Sequence, residues 1–464
     1  MQRVLEYFRQ FGRFQRNARL YLLSNALSGM TTGIFLVLYT LYLTSLGYKA
    51  DFVGATLFVG TIGAGAAIFP AGLCVDRWSG KWILIGSSLL IGLVGIGAIL
   101  FRQPVPLLIC AFFTGIALSF VLVINAPFLT RNSLPAQRLD LFSLNIVLTQ
   151  ITTVLGEIVG GALPVWFSHS SWWMAPLPPW LNGLLAAEPE ARSYQLAMLV
   201  AGLIAIPSFI PLFQLSEDRP IYVLTSSRSS PAIPWRSRLA STRAWLHSDR
   251  PRALLRSPFF ALVLVQTLTG LGAGLIIPYF NLFFVRHLHA SSALFGLIDG
   301  AANGLTALTT LGAPWLARKL GRVNSIAWTR LGSLPLLLTV GFAGSLRLAA
   351  GLYPLREGLM DMSNGVLMVF SMEEVEEEYR GIANSAYQAA YQVAWALTSS
   401  LAGLLIVFAG YGPIFIGAAL CYLVTIALLW ARFGWRKGEE QNEHAEHSET
   451  TRQGKTSASS AGSP

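Results

Sequence analysis

Residues 82–101 read WILIGSSLLIGLVGIGAILF, an apolar stretch that contains no charged side chain. A helix of about 20 such residues crosses the hydrocarbon core of a bilayer, and residues 52–75, 194–215 and 411–430 form stretches of the same kind. Over the whole chain of 464 residues, 53% are hydrophobic and 12% are charged, whereas average soluble domains carry about 25% charged residues. The sequence therefore predicts an integral membrane protein and argues against a water-soluble fold.

Hydropathy predicts twelve membrane-spanning helices. They are residues 20–46, 52–75, 82–101, 105–129, 141–167, 194–215, 259–284, 293–317, 323–346, 348–370, 382–409 and 411–430. The first stretch is too long for the apolar region of a cleavable signal peptide, so we expect it to remain as an anchor. An even number of spans places both termini on one side of the membrane.

The basic residues indicate which side that is. Most of them lie in alternate loops, whereas the intervening loops contain only Lys49, Arg102, Arg192, Arg286 and Arg347. Because cytoplasmic loops are enriched in Lys and Arg, we expect a multi-pass protein of the cell membrane with both termini in the cytoplasm. The formal charge of +10 follows from this topology, and no nucleic-acid partner is predicted.

The chain divides into five predicted segments. They are a basic cytoplasmic N-terminal segment (1–19), a first six-helix bundle (20–215), a basic cytoplasmic linker (216–258), a second six-helix bundle (259–432) and a disordered cytoplasmic tail (433–464). The linker is rich in Ser, Pro and Arg, which is typical of loops. It either forms a helix on the anionic leaflet or is a disordered connection.

The two predicted bundles resemble each other in sequence at a shift of 240–242 residues. Matching pairs are Gly29 and Gly270, Gly33 and Gly274, Gly72 and Gly312, and Arg138 and Arg380. A unit of six helices enters the membrane from the same side in both copies. The sequence therefore predicts an all-α fold of twelve transmembrane helices, in which two six-helix bundles are related by a parallel pseudo-two-fold repeat.

Residues 72–81 read GLCVDRWSGK and follow the second predicted span. This loop resembles the signature motif of the major facilitator superfamily, with Ser79 as an inserted residue, and residues 312–322 resemble a degenerate second copy without the Asp. We expect Gly72 to let two helices approach closely. The resemblance implies a cytoplasmic gate that latches the outward-facing state, formed by Gly72, Asp76, Arg77, Gly80, Lys81, Gly321, Arg322 and Arg380. An ordinary tight turn with topogenic charges is the alternative.

Several ionisable residues fall inside predicted spans, where each costs at least about 2.5–3.5 kcal/mol and indicates a functional site. We predict that Glu357, Asp361, Asp299 and Glu157 couple transport to protons. Glu357 and Asp361 are four residues apart and therefore share one helix face. Arg356 offers them a counter-charge, so a permanent ion pair is the alternative.

The resemblance also implies a central cavity lined by the first, fourth, seventh and tenth spans. The polar residues that these spans carry form the predicted substrate cavity: Asn25, Thr31, Thr32, Asn125, Gln266, Asn281, Tyr353 and Arg356. Their mixture of amides, hydroxyls and aromatic rings fits a neutral or weakly cationic organic solute. Hydrogen bonding from helix to helix is the alternative role for each of them.

These patterns predict a secondary active transporter of a small organic solute that works by alternating access, with proton-coupled efflux as the leading interpretation. A solute or sugar importer of the same fold and a non-transporting receptor or scaffold are the alternatives. The sequence shows no nucleophile elbow, phosphate-binding loop or metal-ligand cluster. We therefore expect no enzymatic activity, cofactor or metal, and the expected partners are the solute, protons and the lipid bilayer around a monomer.

Overall fold

The computed structural model describes residues 14–134, 137–176, 178, 183–217, 257–375 and 380–434, without the side chains of residues 76, 139 and 380–382. Twelve long helical segments follow one another. They are α1 (Arg16–Ser45), α2 (Ala50–Arg77), α3 (Gly80–Leu100), α4 (Pro104–Arg131), α5 (Arg138–His169), α6 (Pro189–Phe213), α7 (Pro258–His287), α8 (Ser292–Leu320), α9 (Arg322–Gly341), α10 (Leu346–Met362 with Asn364–Glu373), α11 (Arg380–Ala409) and α12 (Gly412–Phe433). Most of the predicted linker and all but the first two residues of the predicted tail lie outside the described residues.

Local sequence explains where several helices begin and end. Proline occupies the first turn of α4, α6, α7 and α12, where its missing N–H breaks no helical hydrogen bond. The hydroxyls of Ser257 and Ser291 cap α7 and α8 by accepting hydrogen bonds from backbone N–H groups. The tight turns before α2, α9 and α12 each use a glycine with positive φ, at Gly47, Gly321 and Gly410.

In the described part of the chain, nine helices are long and apolar enough to cross a membrane, and α8, α9 and α10 are not among them. These three contain most of the charged residues that fall inside predicted spans, whereas Glu157 lies in α5. Asp299 lies in α8, Arg330 in α9, and Arg356, Glu357 and Asp361 in α10. Their charged side chains lower the hydropathy of these three helices. The chain nevertheless forms the predicted twelve-helix, two-bundle fold.

Glycines place the helices of each bundle in close contact. A Cβ atom added at Gly33 in α1 would meet the backbone of Thr153 and Glu157 in α5. The equivalent position in the repeat, Gly274 in α7, would meet the backbone of Trp395 in α11. Small residues let helix backbones approach within a membrane. The repeat in sequence therefore preserves the same helix-to-helix contact in both bundles.

We expect Gly33→Ala to lower the melting temperature of the purified protein, because the new methyl group would lie 2.8 Å from the backbone nitrogen of Glu157. Overpacking of this kind costs about 1–3 kcal/mol. Gly65→Ala in α2 is the control, since no described atom lies within 4 Å of its added Cβ. Differential scanning fluorimetry in detergent would measure both variants, and equal melting temperatures would contradict the packing.

The two bundles meet on one side of the protein. We call the side where α1 begins and α12 ends the terminal face, and the opposite side the far face. On the far face, the Ser292 hydroxyl of α8 donates to the Gly161 carbonyl of α5 at 2.9 Å. The start of α2 packs on the end of α11, where Gly54 lies against Ser399 and Gly403 against Ala50.

Polar contacts add to this closure of the far face. The Asn281 amide of α7 donates to the carbonyl of Val37 in α1 at 3.2 Å and to the Thr40 hydroxyl. Arg286 at the end of α7 forms an ion pair with Glu190 at the start of α6, with 2.7 Å between Nη1 and Oε1. All hydrogen bonds and ion pairs that join two described residues of different bundles lie at mid-depth or nearer the far face. The bundles are therefore closed together at the far face.

Candidate functional site

A cavity of about 250 Å³ lies within the second bundle and is lined by α7, α10, α11 and α12. We call it the α10–α11 cleft. It extends to Met372 in the last turn of α10 and to Asn384 in the second turn of α11, both near the terminal face. Its polar lining consists of amides, hydroxyls and ionisable groups: Gln266, Thr269, Arg356, Glu357, Asp361, Asn364, Ser371, Asn384, Tyr387, Gln388, Tyr391 and Tyr422.

The end of the α10–α11 cleft that is further from the terminal face contains an ion pair between Arg356 and Glu357, which are neighbours on α10. The Arg356 side chain is 2% exposed and that of Glu357 is 14% exposed. The guanidinium carbon lies 5.6 Å from the ring centre of Phe280 and 5.9 Å from that of Tyr422. Its Nε and Nη2 atoms are buried and have no hydrogen-bond partner among the described residues. The cation is thus held between two rings, while the carboxylate is nearer the opening.

A second buried cation lies behind the same cleft. Arg330 is fully buried, and its guanidinium donates to the Thr269 hydroxyl, the Ser363 hydroxyl and the Asn364 amide oxygen, each at 3.2 Å. The Asn364 amide in turn donates to Oδ1 of Asp361 at 3.0 Å. Arg330 therefore ties α7, α9 and α10 together. Within the described part of the chain, Oδ2 of Asp361 has no hydrogen bond.

A separate polar site lies between the bundles, and we call it the α5–α8 carboxylate site. Glu157 of α5 is 2% exposed, and both of its carboxylate oxygens accept hydrogen bonds from the Asn303 amide of α8, at 3.2 and 3.0 Å. One turn away on α8, Asp299 accepts a hydrogen bond of 2.9 Å from the Tyr353 hydroxyl of α10. Gln150 donates to the Asn303 oxygen at 3.5 Å. Neither carboxylate forms an ion pair with a described residue.

The two sites are linked through one face of α10. Tyr353, Glu357 and Asp361 are spaced four residues apart, so their side chains lie above one another along the helix. The Tyr353 hydroxyl donates a hydrogen bond to Asp299 in the α5–α8 carboxylate site. Glu357 and Asp361 line the α10–α11 cleft. A displacement of α10 would therefore move side chains in both sites.

Of the predicted cavity residues, Gln266 and Arg356 line the α10–α11 cleft, and the others lie away from it. Asn25, Thr31 and Asn281 form hydrogen bonds to another helix, which was the alternative role, and Thr32 forms one within its own helix. The contacts are Asn25 to Asn145 at 2.8 Å, Thr31 to the Ala201 carbonyl at 3.3 Å, Thr32 to the Ser28 carbonyl at 3.0 Å, and Asn281 to Val37 and Thr40. Asn125 has a buried amide oxygen without a partner in the described part of the chain.

The predicted gate residues are spread over several helix ends at the terminal face. The expectation that Gly72 permits a close helix approach is wrong for this conformation, because no described atom lies within 4 Å of a Cβ added there. Gly80 begins α3, Arg77 is exposed, and the Lys81 ammonium lies 5.8 Å from the Trp82 ring centre. In the second copy, Arg322 forms an ion pair with Glu373 of α10. The side chains of Asp76 and Arg380 lie outside the described residues.

Sequence reasoning missed the contribution of α11 and of the α8 amide. Asn384, Tyr387, Gln388 and Tyr391 recur at helical spacing and form one polar stripe that faces the cleft. Asn303 follows Asp299 by four residues in an otherwise weakly polar helix. Helical periodicity of polar residues in these two spans was the signal in the sequence, whereas the predicted cavity was assigned to the first, fourth, seventh and tenth spans.

We expect Glu357→Gln to destabilise the fold, because it leaves the buried Arg356 cation without its ion-pair partner. Breaking one side of a buried pair costs up to about 3–5 kcal/mol. The double variant Arg356→Met with Glu357→Gln removes both charges and should regain most of the lost melting temperature. A double variant that melts below the Glu357→Gln protein would show that the pair itself contributes little.

Two bundles of six apolar helices, with polar sites inside the second bundle and between the bundles, define a multi-pass membrane protein built like a transporter. The sequence profile of the Major Facilitator Superfamily matches residues 21–355 and, in an overlapping second match, residues 262–460. The chain belongs to this family.

Solved structures share the fold at low sequence identity. The nucleoside transporter NupG has a TM-score of 0.64 at 14% identity, covering 90% of this chain and 99% of that one. The xylose transporter XylE from E. coli, in an inward open conformation, has a TM-score of 0.63 at 13% identity, covering 89% and 95%. A bacterial homologue of the iron transporter ferroportin in an inward-facing state has a TM-score of 0.63 at 16% identity, covering 90% and 98%.

Proposed function

We propose that this protein is a secondary active transporter that exports a small organic solute across the cell membrane in exchange for protons. The observation that carries the proposal is the combination of a polar cleft near the terminal face with a far face at which the bundles are closed. Such an arrangement is one end state of alternating access, in which two bundles rock about a central site. If the protein exports its solute, the terminal face is the cytoplasmic side, from which the solute would enter the cleft.

The charge distribution supports this orientation. Helix ends at the terminal face carry Arg77, Lys81, Arg131, Arg318 and Arg322, among others. Basic residues of this kind are retained on the cytoplasmic side of a membrane. The terminal face is then cytoplasmic, both termini lie in the cytoplasm, and the described conformation faces inward.

The α5–α8 carboxylate site is the proposed site of proton binding. Glu157 is buried and Asp299 is half-buried at the contact between the bundles, and neither has a described cation beside it. An unpaired buried carboxylate is costly unless its charge is neutralised, and a bound proton provides that neutralisation without adding volume. The groups that face the site are Asn303 and Gln150, the Tyr353 hydroxyl and, further along α10, the Arg356–Glu357 pair.

Rocking of the bundles would change the surroundings of this site. Separation of α5 from α8 at the far face would break the Glu157–Asn303 hydrogen bonds and admit water to both carboxylates. A proton could then be taken up from the outside and released when the site faces the cytoplasm. The opening of the far face requires closure at the terminal face, where the motif of residues 72–81 is the proposed latch. The open space at Gly72 fits a latch that is released in the inward-facing state.

The proposal is tested with the full chain in proteoliposomes that contain the pH indicator pyranine. A panel of nucleosides, pentoses, amino acids and organic amines is added in the absence of any other gradient. We expect one class to change the lumenal pH, in the direction of exchange against protons. A change in the opposite direction would indicate import with protons, and the absence of any change across the panel, with confirmed insertion, would overturn proton-coupled transport.

A further inference from the structure

Every residue that lines the α10–α11 cleft belongs to the second bundle. Resting on the transport function proposed above, we infer that this cleft binds the solute, and that the solute is a small aromatic amine with an oxygen at some distance from its ammonium group. Three features of the lining carry this inference: the placement of charge, two groups of unpaired donors, and the apolar surface between them.

Charge is arranged asymmetrically around the cleft. Arg330 is 0% exposed and lies behind the cleft, whereas Arg356 is 1% exposed, lines the cleft and is paired with Glu357. The two carboxylates are further forward, since Glu357 and Asp361 are partly exposed and line the cleft. Oδ2 of Asp361 has no described hydrogen bond, so it is free to accept one from a ligand. Beyond the Arg356–Glu357 pair, the wall presents the Asp361 carboxylate to its contents, which favours an ammonium group over a simple anion.

Unpaired hydrogen-bond donors mark the other requirement for the ligand. Tyr387 is 2% exposed and lines the cleft, and its hydroxyl has no partner among the residues that the structure describes. Arg356 likewise has two guanidinium nitrogens without a described partner. A buried polar group that forms no hydrogen bond costs about 1–3 kcal/mol. A ligand with an oxygen acceptor would satisfy one of these donors.

The spacing of Arg356 and Asp361 along α10 indicates the length of the ligand. Arg356 and Asp361 are five residues apart on α10, which corresponds to about 7.5 Å along the helix. Tyr387 lies on the facing helix, one turn from Tyr391. An ammonium group and an oxygen separated by a benzene ring span a comparable distance. The volume of about 250 Å³ accommodates one ring with short substituents.

The apolar part of the lining suits such a ring. Met360, Met368 and Met372 lie along α10, and Tyr391 and Tyr422 approach from α11 and α12. Thioether sulfur makes favourable contacts with aromatic rings, and tyrosine faces attract ammonium groups. The cleft therefore combines a flexible apolar surface with a carboxylate at one position and a buried donor at another.

Four matched probes test the inference on the full chain in detergent. They are tyramine, which has the ammonium and the distal oxygen, phenethylamine, which lacks the oxygen, tyrosol, which is neutral, and 4-hydroxyphenylacetate, which is an anion. Affinity is measured by isothermal titration calorimetry. We expect tyramine to bind best, phenethylamine several-fold more weakly, tyrosol at least tenfold more weakly, and the anion not at all.

Two variants separate the proposed contacts. Asp361→Asn should weaken both amines at least tenfold and leave tyrosol unchanged. Tyr387→Phe should reduce tyramine to the affinity of phenethylamine without changing phenethylamine itself. Asp51→Asn, at the start of α2 on the far face, is the control and should change no affinity. Melting temperatures confirm that each variant is folded.

Three outcomes would overturn the inference. They are a preference for the anion, equal binding of all four probes, and amine affinity that is unchanged in Asp361→Asn. Absence of binding by every probe would also overturn the ligand class. In that case a proton signal in the pyranine assay from another class of compound would still support the transport function. The absence of both a proton signal and binding would overturn the transport function and the ligand class together.

Discussion

Glu157→Gln should abolish the coupling of solute movement to protons while solute-for-solute exchange continues. Gln has nearly the same shape as Glu and can still accept a hydrogen bond from the Asn303 amide, so the contact between α5 and α8 is largely kept. It cannot bind and release a proton at neutral pH. The variant would therefore rock with bound solute but would gain nothing from a pH gradient.

The measurement uses the compound that gives a pyranine signal with the unmodified chain. We expect the proton signal of Glu157→Gln to fall at least tenfold. Its exchange of radiolabelled against unlabelled solute should stay within about twofold of the unmodified protein. Asp140→Asn, the same chemical change in the first turn of the same helix, is the control. A Glu157→Gln protein that still moves protons with its solute would place the coupling site elsewhere.

A cross-link between residues 40 and 281 should stop transport completely. Thr40 of α1 and Asn281 of α7 are in hydrogen-bond contact at the far face, one in each bundle. With Cys74, Cys110 and Cys421 replaced by Ser, a Thr40→Cys and Asn281→Cys pair can be joined by oxidation or by a short thiol cross-linker. The link would hold the far face closed, so the bundles could not reach the outward-facing state.

Reduction distinguishes this block from misfolding. Transport should return after treatment with dithiothreitol where the pair is joined as a disulfide, and each single cysteine variant should transport throughout. A matched pair within one bundle, Asn17→Cys with Asn132→Cys, lies at a hydrogen-bond contact of 2.9 Å between α1 and the end of α4. Its cross-link should leave transport intact. Transport by the oxidised 40–281 pair would mean that the far face does not open between these helices.

The two predictions address different parts of one cycle. The Glu157→Gln variant loses proton binding at residue 157 but keeps the rocking of the bundles. The cross-link prevents that rocking but leaves the α5–α8 carboxylate site and the α10–α11 cleft unchanged. Transport that fails in the cross-linked protein and becomes independent of protons in the Glu157 variant would support a rocking mechanism driven at the α5–α8 carboxylate site. The α10 face that joins Tyr353 to Glu357 and Asp361 is then the route by which proton binding alters the cleft.

Several features of the fold follow from local sequence. A span is recognised from about 20 consecutive apolar residues, because a bilayer imposes that length on any helix that crosses it. Hydropathy was least informative for α8, α9 and α10, where buried charge lowers the apolar content. The repeat in sequence indicated how helices pack, since Gly33 and Gly274 have the same packing role in the two bundles.

The polar sites were only partly predictable. An ionisable residue within a span is conspicuous, so Glu157, Asp299, Glu357 and Asp361 could be selected one by one. Which of them share a site depends on how helices from different bundles face each other. No spacing along the chain relates Glu157 to Asn303, which lies 146 residues away.

The sequence by itself determined that the chain crosses the membrane as two repeated bundles, because hydropathy, periodicity and glycine spacing are properties of single helices and their immediate neighbours. Only the tertiary structure decided that Arg356 pairs with Glu357, that Glu157 meets Asn303 across the bundle interface, and that the cleft belongs to the second bundle alone. Such contacts depend on the rotation and depth of each helix relative to the others. Those quantities are set by packing over the whole assembly, and no short segment of sequence specifies them.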